Sequence, residues 1–231
     1  SLFSGGVVKG QKLQDYVNEL VGGRTLEKMR KPFAVVATRL NDGERTVFVR
    51  GNTGQAVRAS SSIPGVFEAV AIGKAHYVDG GVVSPVPVDA ARELGADFVI
   101  AVDISSKANG IASPTSMLGN VNQSITIMGQ KLGALELARA DIVIRPKVTD
   151  IGAADFAQKN RAILEGERAA QAALPEIRKK IAALQAARLA KARQQADTQA
   201  ARQREAERKA RCAKQEGWTK TLTRDADCKE R

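Results

Sequence analysis

Apolar residues recur along this chain in short clusters divided by glycine and proline, and the spacing inside each cluster predicts its conformation. From Lys9 to Val21, Leu13, Tyr16, Val17 and Leu20 share one side at helical spacing, with Gly22-Gly23 as the stop. Phe33 to Thr38 and Thr46 to Val49 are short, apolar and β-branched, and the turn residues Asn41-Asp42-Gly43 between them predict a hairpin. Thr53 is placed to cap a helix beginning near Gly54, whose small residues run to Ser62 before Pro64-Gly65 breaks it. Val66 to Ile72 and Ala75 to Val78 then read as strands around the Gly73-Lys74 turn, so that Asp79-Gly80-Gly81 stands at a strand end. The two glycines there leave room for a neighbouring backbone and tolerate positive φ.

Further on the pattern changes to alternating helix and strand. Val88 to Leu94 predicts a helix closing on Gly95, and the unbroken apolar run Phe98 to Val102 predicts a strand buried on both faces. Ser116 to Ala138 reads as a long helix in spite of three glycines, Ile142 to Ile144 as another buried strand, and Phe156 to Ala173 as an amphipathic helix. Beyond Pro175 the stripe Ile177, Ile181, Leu184 fades into alanine among charged and amide side chains, which predicts a long, solvated helix running towards Cys212. The fold class implied is α/β.

Charge changes this picture at the C-terminus. From Pro175 onward there are 16 Lys/Arg against 8 Asp/Glu, so the last 57 residues carry +8 of the formal +11. Such a tail either meets an anionic partner, lipid or nucleic acid, or is simply well solvated. Single-strand nucleic-acid binders stack bases on aromatic side chains, and Trp218 is the only aromatic residue in the tail, which disfavours nucleic acid. No apolar run approaches the roughly 20 residues of a membrane span. Ser1 follows no initiator Met and no basic-then-apolar leader, so any targeting signal is expected upstream of it.

Cys212 and Cys228 are the only cysteines and His76 the only histidine, too few and too far apart for a four-ligand zinc site, so neither metal nor cofactor is expected. The two cysteines leave two readings open, a disulfide around Trp218 formed in an oxidising compartment or a pair of free thiols. The first favours a bacterial envelope or periplasm over the cytoplasm.

The informative stretch is Gly51 to Asp103. Its blocks are G-N-T-G-Q-A-V-R-A-S-S-S-I-P-G-V-F at Gly51 to Phe67, Y-V-D-G-G-V-V at Tyr77 to Val83, and G-A-D-F-V-I-A-V-D at Gly95 to Asp103. In this order they resemble the bacterial patatin-like phospholipase family, with the likeness running from about Gly6 to Phe156. The resemblance implies a three-layer sheet with helices on both faces, without its N-terminal part, followed by the long C-terminal helix. Residues 1–174 then read as the C-terminal portion of the hydrolase domain and 175–231 as a basic tail. It also implies a serine and aspartate dyad, an oxyanion loop near the family's N-terminus and the aspartate in a D-G-G motif. Asp79-Gly80-Gly81 matches that motif, whereas no G-x-S-x-G occurs between Ser1 and Arg231.

The chemistry required is independent of any family. A serine hydroxyl attacking a carbonyl must lose its proton to a nearby base, and a positioned carboxylate can take it. Asp79 is the candidate, although Asp-Gly-Gly after a strand is also what a plain tight turn looks like. His76 lies three residues earlier, where strand alternation turns it to the opposite face. Asp89, Asp97 and Asp103 lie near element ends and read as structural, and Gly51 to Gly54 reads as a turn and cap rather than a phosphate loop.

The expectation is therefore a serine lipid acyl hydrolase of which this chain holds the aspartate, acting on phospholipid or another acyl ester, inactive as it stands, with peripheral contact to anionic membrane through the tail. The alternative is a basic helix that binds nucleic acid or a protein partner on a non-catalytic α/β scaffold. Exposed Val, Ile and Phe beside Asp79 are expected on the first reading.

Overall fold

The computed structural model describes residues 10–105, 117–151 and 155–216. The chain divides into two compact units, Ser1–Leu174 and Pro175–Arg231.

The first unit is built on four antiparallel strands in the order β2-β1-β4-β3: β1 Val35–Arg39, β2 Arg45–Phe48, β3 Val70–Ile72 and β4 Ala75–Asp79. The β1–β2 hairpin pairs Val35 with Phe48, and Gly43 at φ 77° makes the turn whose N–H returns to the Arg39 carbonyl at 2.8 Å. β4 lies against β1 with Ala37 opposite Asp79. β3 is shorter than its apolar run predicts, because after Pro64 the amides of Val66 and Phe67 turn back to the Ile63 carbonyl, each at 3.0 Å.

One face of this sheet is covered by α2 (Thr53–Ser60), and α1 (Gln11–Leu20) packs against α2. Ala37, Val70 and Tyr77 of the sheet pack with Ala59 of α2, and Val35 packs with Ala56 and Leu26. The small residues of α2 let α1 come close, since a Cβ on Gly54 would stand 2.2 Å from the Gln14 carbonyl oxygen. That approach sets the rotation of α1. Its inner side carries Gln14 and Asn18 as well as Leu13 and Val17, and Tyr16 and Leu20, which the periodicity places on the packing face, are exposed. Asn18 Oδ1 accepts the Gly54 N–H at 2.9 Å. The cap of α2 also differs from expectation: Asn52 Oδ1 accepts the Gln55 N–H at 2.7 Å, while the Thr53 hydroxyl donates to the Arg24 carbonyl at 2.7 Å.

The other face of the sheet is also buried, at Val36, Thr38 and Val78. Arg45, opposite Thr38, reaches Glu93 of α3 (Val88–Glu93) at 2.6 Å, so α3 stands on that side. Beyond α3 come β5 (Ile100–Val102), α4 (Met117–Leu137) and β6 (Ile142–Ile144), with β5 and β6 paired in parallel. Val86, Val88, Val99, Ala101 and Leu137 form their core. One expectation is corrected here, that β5 is buried on both faces. Val99 and Ala101 are buried, but Ile100 is 43% and Val102 52% exposed, because nothing among the described residues covers their side of the strand. The architecture is thus α/β, with helices on both sides of the larger sheet and a long C-terminal helix.

That last helix, α5, spans Lys159–Glu216 and contains Pro175, so the helix read as ending at Ala173 continues. In the second unit its side chains are mostly exposed and carry the pairs Glu176–Lys180 and Glu205–Lys209 at i,i+4 spacing. At about 100° per residue, Lys179, Arg193, Arg204 and Arg211 gather on one side and Lys180, Lys191, Arg202 and Lys209 on the opposite one. No apolar stripe separates them after Leu189, so solvation and helix propensity sustain this part of α5. Cys228 lies outside the described residues, and its pairing with Cys212 with it.

Candidate active site

Asp79 is the last residue of β4, held from three directions. Its N–H donates to the Ser62 carbonyl at the end of α2 (2.9 Å), its carbonyl accepts the Thr38 hydroxyl of β1 (2.7 Å), and its Oδ1 accepts the Gly81 N–H (2.7 Å). Oδ2 accepts no hydrogen bond from the described residues. The chain then turns through a single 3-10 turn, Gly80–Val82.

The reason for glycine here is space rather than backbone angle, since neither Gly80 nor Gly81 has a positive φ. A Cβ on Gly80 would lie 2.3 Å from the Val36 carbonyl oxygen, and one on Gly81 would lie 3.0 Å from Asp79 Oδ1. The first glycine lets the turn pass over β1. The second leaves room for the carboxylate.

Asp79 lines a groove of about 490 Å³ with Phe33, Val36, Ser60, Ser61, Val102 and Ile104 among its other walls. Phe33 and Ile104 are exposed, as is Val102, which provides the apolar surface expected beside the aspartate. Burial pushes the Asp79 carboxyl above the ordinary carboxylate range, against the opposing effect of the Gly81 N–H. A carboxylate of raised basicity, with one oxygen fixed and the other unbonded in an apolar groove, is equipped to accept a proton from a neighbour.

The remaining sequence candidates separate cleanly. His76 is exposed while its neighbour Tyr77 is buried, and its backbone N–H meets Asn41 Oδ1 at 3.3 Å. Ser60 and Ser61 share the groove with Asp79, but no serine hydroxyl among the described residues bonds the carboxylate, and the Ser62 hydroxyl donates to the Arg58 carbonyl at 2.7 Å. Asp89 forms a two-point ion pair with Arg139, Asp103 accepts from Ser105 N–H and Arg145, and Asp97 lies in the bend before β5. The Gly51 and Gly54 amides are engaged internally, by the side chains of Glu27 and Asn18, and Asn52 spends its own Oδ1 on the Gln55 N–H. Among the described residues no three His, Cys, Asp or Glu side chains are grouped to hold a metal ion, and no helix is long and apolar enough to cross a membrane.

Periodicity does not single out Glu136 of α4, whose carboxylate is buried against the loop that follows Asp79. The only signal in the sequence is a charged residue beside Leu137 on the side of the helix that also carries Gly133.

The chain is thus an α/β protein in which a strand-end carboxylate, followed by two glycines, stands over an open groove. Residues 1–92 match the family Patatin-like phospholipase. Over those residues, about two fifths of its length, the chain is similar to that family. It is 33% identical over 112 residues to an NTE family protein of Mycobacterium tuberculosis, covering 48% of this chain and 31% of that protein. A second NTE family protein of the same species is 29% identical over 192 residues, 73% of this chain and 33% of its own. The mouse patatin-like phospholipase domain-containing protein 7 is 28% identical over 100 residues, 42% of this chain and 7% of its own length. The chain therefore spans about a third of the length of the first relatives it matches.

Proposed function

We propose that the intact protein hydrolyses acyl esters of phospholipid or a related lipid, and that Asp79 is the general base of a serine and aspartate dyad. The serine hydroxyl gives its proton to Asp79 as its oxygen attacks the ester carbonyl. The alcohol departs with a proton, and water then releases the fatty acid from the acyl-serine. The observation that carries this reading is the Asp79 carboxylate itself, pinned through Oδ1 and unbonded at Oδ2, in an apolar groove that raises its affinity for a proton. An acyl chain is a fitting occupant for a groove walled by Phe33, Val102 and Ile104.

The family's nucleophile motif is absent from this chain, so the chain by itself is expected to hydrolyse no ester. The test uses the intact protein on a short-chain nitrophenyl ester. Asp79→Asn keeps the side-chain shape and the Gly81 bond but cannot take the proton, and kcat should fall by about 10²- to 10⁴-fold. A folded Asp79→Asn protein with near-native kcat would remove Asp79 from the mechanism.

A further inference from the structure

Glu136 lies in α4, 7% exposed, with both carboxylate oxygens spent on one loop. Oε1 accepts the hydroxyl of Ser84, which is 4% exposed, and Oε2 accepts the Val86 N–H at 2.8 Å. No cation pairs with this carboxylate among the described residues. Burying an acid that meets only neutral donors is unfavourable, so its presence calls for a specific return in geometry.

The loop that it holds is the one that shapes the turn after Asp79. The Ser84 and Val83 amides both bond the Gly80 carbonyl, at 2.8 and 3.2 Å, and the next amide, that of Gly81, bonds Asp79 Oδ1. Ser84 and Val86 also form part of the groove wall beside the aspartate. We infer that Glu136 is a positioning residue for the acyl-transfer site: through Ser84 and Val86 it anchors the Gly80 to Val86 turn to α4, and thereby sets the orientation of the Asp79 carboxylate. This rests on the reading of Asp79 as the base.

Geometry rather than charge is what the site requires of Glu136. A glutamine can still accept the Val86 N–H through its carbonyl and donate its amide to the Ser84 hydroxyl, which reverses its role from donor to acceptor. An alanine leaves the Ser84 hydroxyl and the Val86 N–H buried without the carboxylate that they bond.

The experiment measures kcat and KM of the intact protein on a nitrophenyl ester for Glu136→Ala, Glu136→Gln, Ser84→Ala, Asp79→Asn and the Asp79→Asn/Glu136→Ala pair. Glu136→Ala should lower kcat by on the order of 10²-fold with KM within about twofold, the size of effect that a misplaced catalytic group produces. Glu136→Gln should stay within about threefold of the native kcat. In the Asp79→Asn background, Glu136→Ala should lower the residual rate no further. The inference fails if Glu136→Ala keeps native kcat while Asp79→Asn is inactive, if Glu136→Gln falls as far as Glu136→Ala, or if the full Glu136→Ala loss persists without the base. An active Asp79→Asn protein instead overturns the base itself, which separates the two failures. Should Glu136→Ala not fold, Ser84→Ala decides: it removes one of the two bonds and should lower kcat about tenfold at unchanged KM, and an unchanged kcat overturns the inference.

Discussion

Replacing Gly80 by alanine adds one methyl group at the most crowded point of the Asp79 turn. Its Cβ would stand 2.3 Å from the Val36 carbonyl oxygen and 2.9 Å from the Val36 carbonyl carbon, where ordinary contact begins at 3.4 Å. The shortfall of 1.1 Å to the oxygen cannot be relieved by a side chain, because the opposing atoms are the backbone of β1, which is paired on both edges with β2 and β4. Overpacking of this kind costs about 1–3 kcal/mol, and a rigid strand as the obstacle argues for the upper end. For a unit of this size about 3 kcal/mol lowers Tm by roughly 6–12 °C. If the turn yields instead, the carboxylate moves by about the missing distance, and a displacement near 1 Å costs on the order of 10²-fold in kcat. Thermal unfolding of the chain and turnover by the intact protein measure the two effects. Gly81→Ala supplies the contrast: its Cβ meets only the Asp79 side chain, Oδ1 at 3.0 Å and Cγ at 3.9 Å, and a side chain can rotate away. It should therefore lose activity with less than about 1 kcal/mol of stability. A Gly80→Ala protein that melts within about 2 °C of the native one and also keeps native kcat would refute the steric reasoning.

Asp79→Asn should also change how stability depends on pH. The folded chain holds the Asp79 proton more tightly than the unfolded one, so the stability this group contributes is complete below the ordinary carboxyl value of about 3.9 and is lost as pH rises through the folded value. The Asp79→Asn chain should thus be the more stable at neutral pH, with the advantage shrinking in acid, and parallel urea midpoints from pH 3 to 7 would contradict this. Gly54→Ala should push α1 off α2, since its Cβ falls 2.2 Å from the Gln14 carbonyl oxygen, and should lower stability by about 2–3 kcal/mol in the same assay. The exposed basic helix should aid adsorption of the intact protein to anionic vesicles by charge alone, so deleting residues 190–231 should weaken binding at low salt and make no difference near 1 M, where the Debye length is about 3 Å. Unchanged low-salt binding would leave this helix a spacer.

What the sequence determined is local. Glycine and proline punctuation, the hairpin turn at Asn41 to Gly43 and the change from period-two to helical spacing suffice to place the elements of the first unit, because these signals act within a few residues. The blocks around Gly51 to Asp103 likewise carried the resemblance to patatin-like phospholipases and offered Asp79 as the candidate base. Tertiary structure decided what depends on neighbours distant in the chain. The rotation of α1 follows from Gly54, far along the chain, and brings Asn18 inward where periodicity places Leu20. The two glycines after Asp79 offer free backbone angles as well as room, but their office is steric, against Val36 and against Asp79 itself. Ile100 and Val102 have the composition of a doubly buried strand, yet exposure depends on what lies over a strand, which its own residues do not encode. Glu136 is the clearest case. Along the sequence it is one more acid in a long helix, and only the fold brings its carboxylate to Ser84 and Val86, some fifty residues earlier, to hold the turn that carries Asp79.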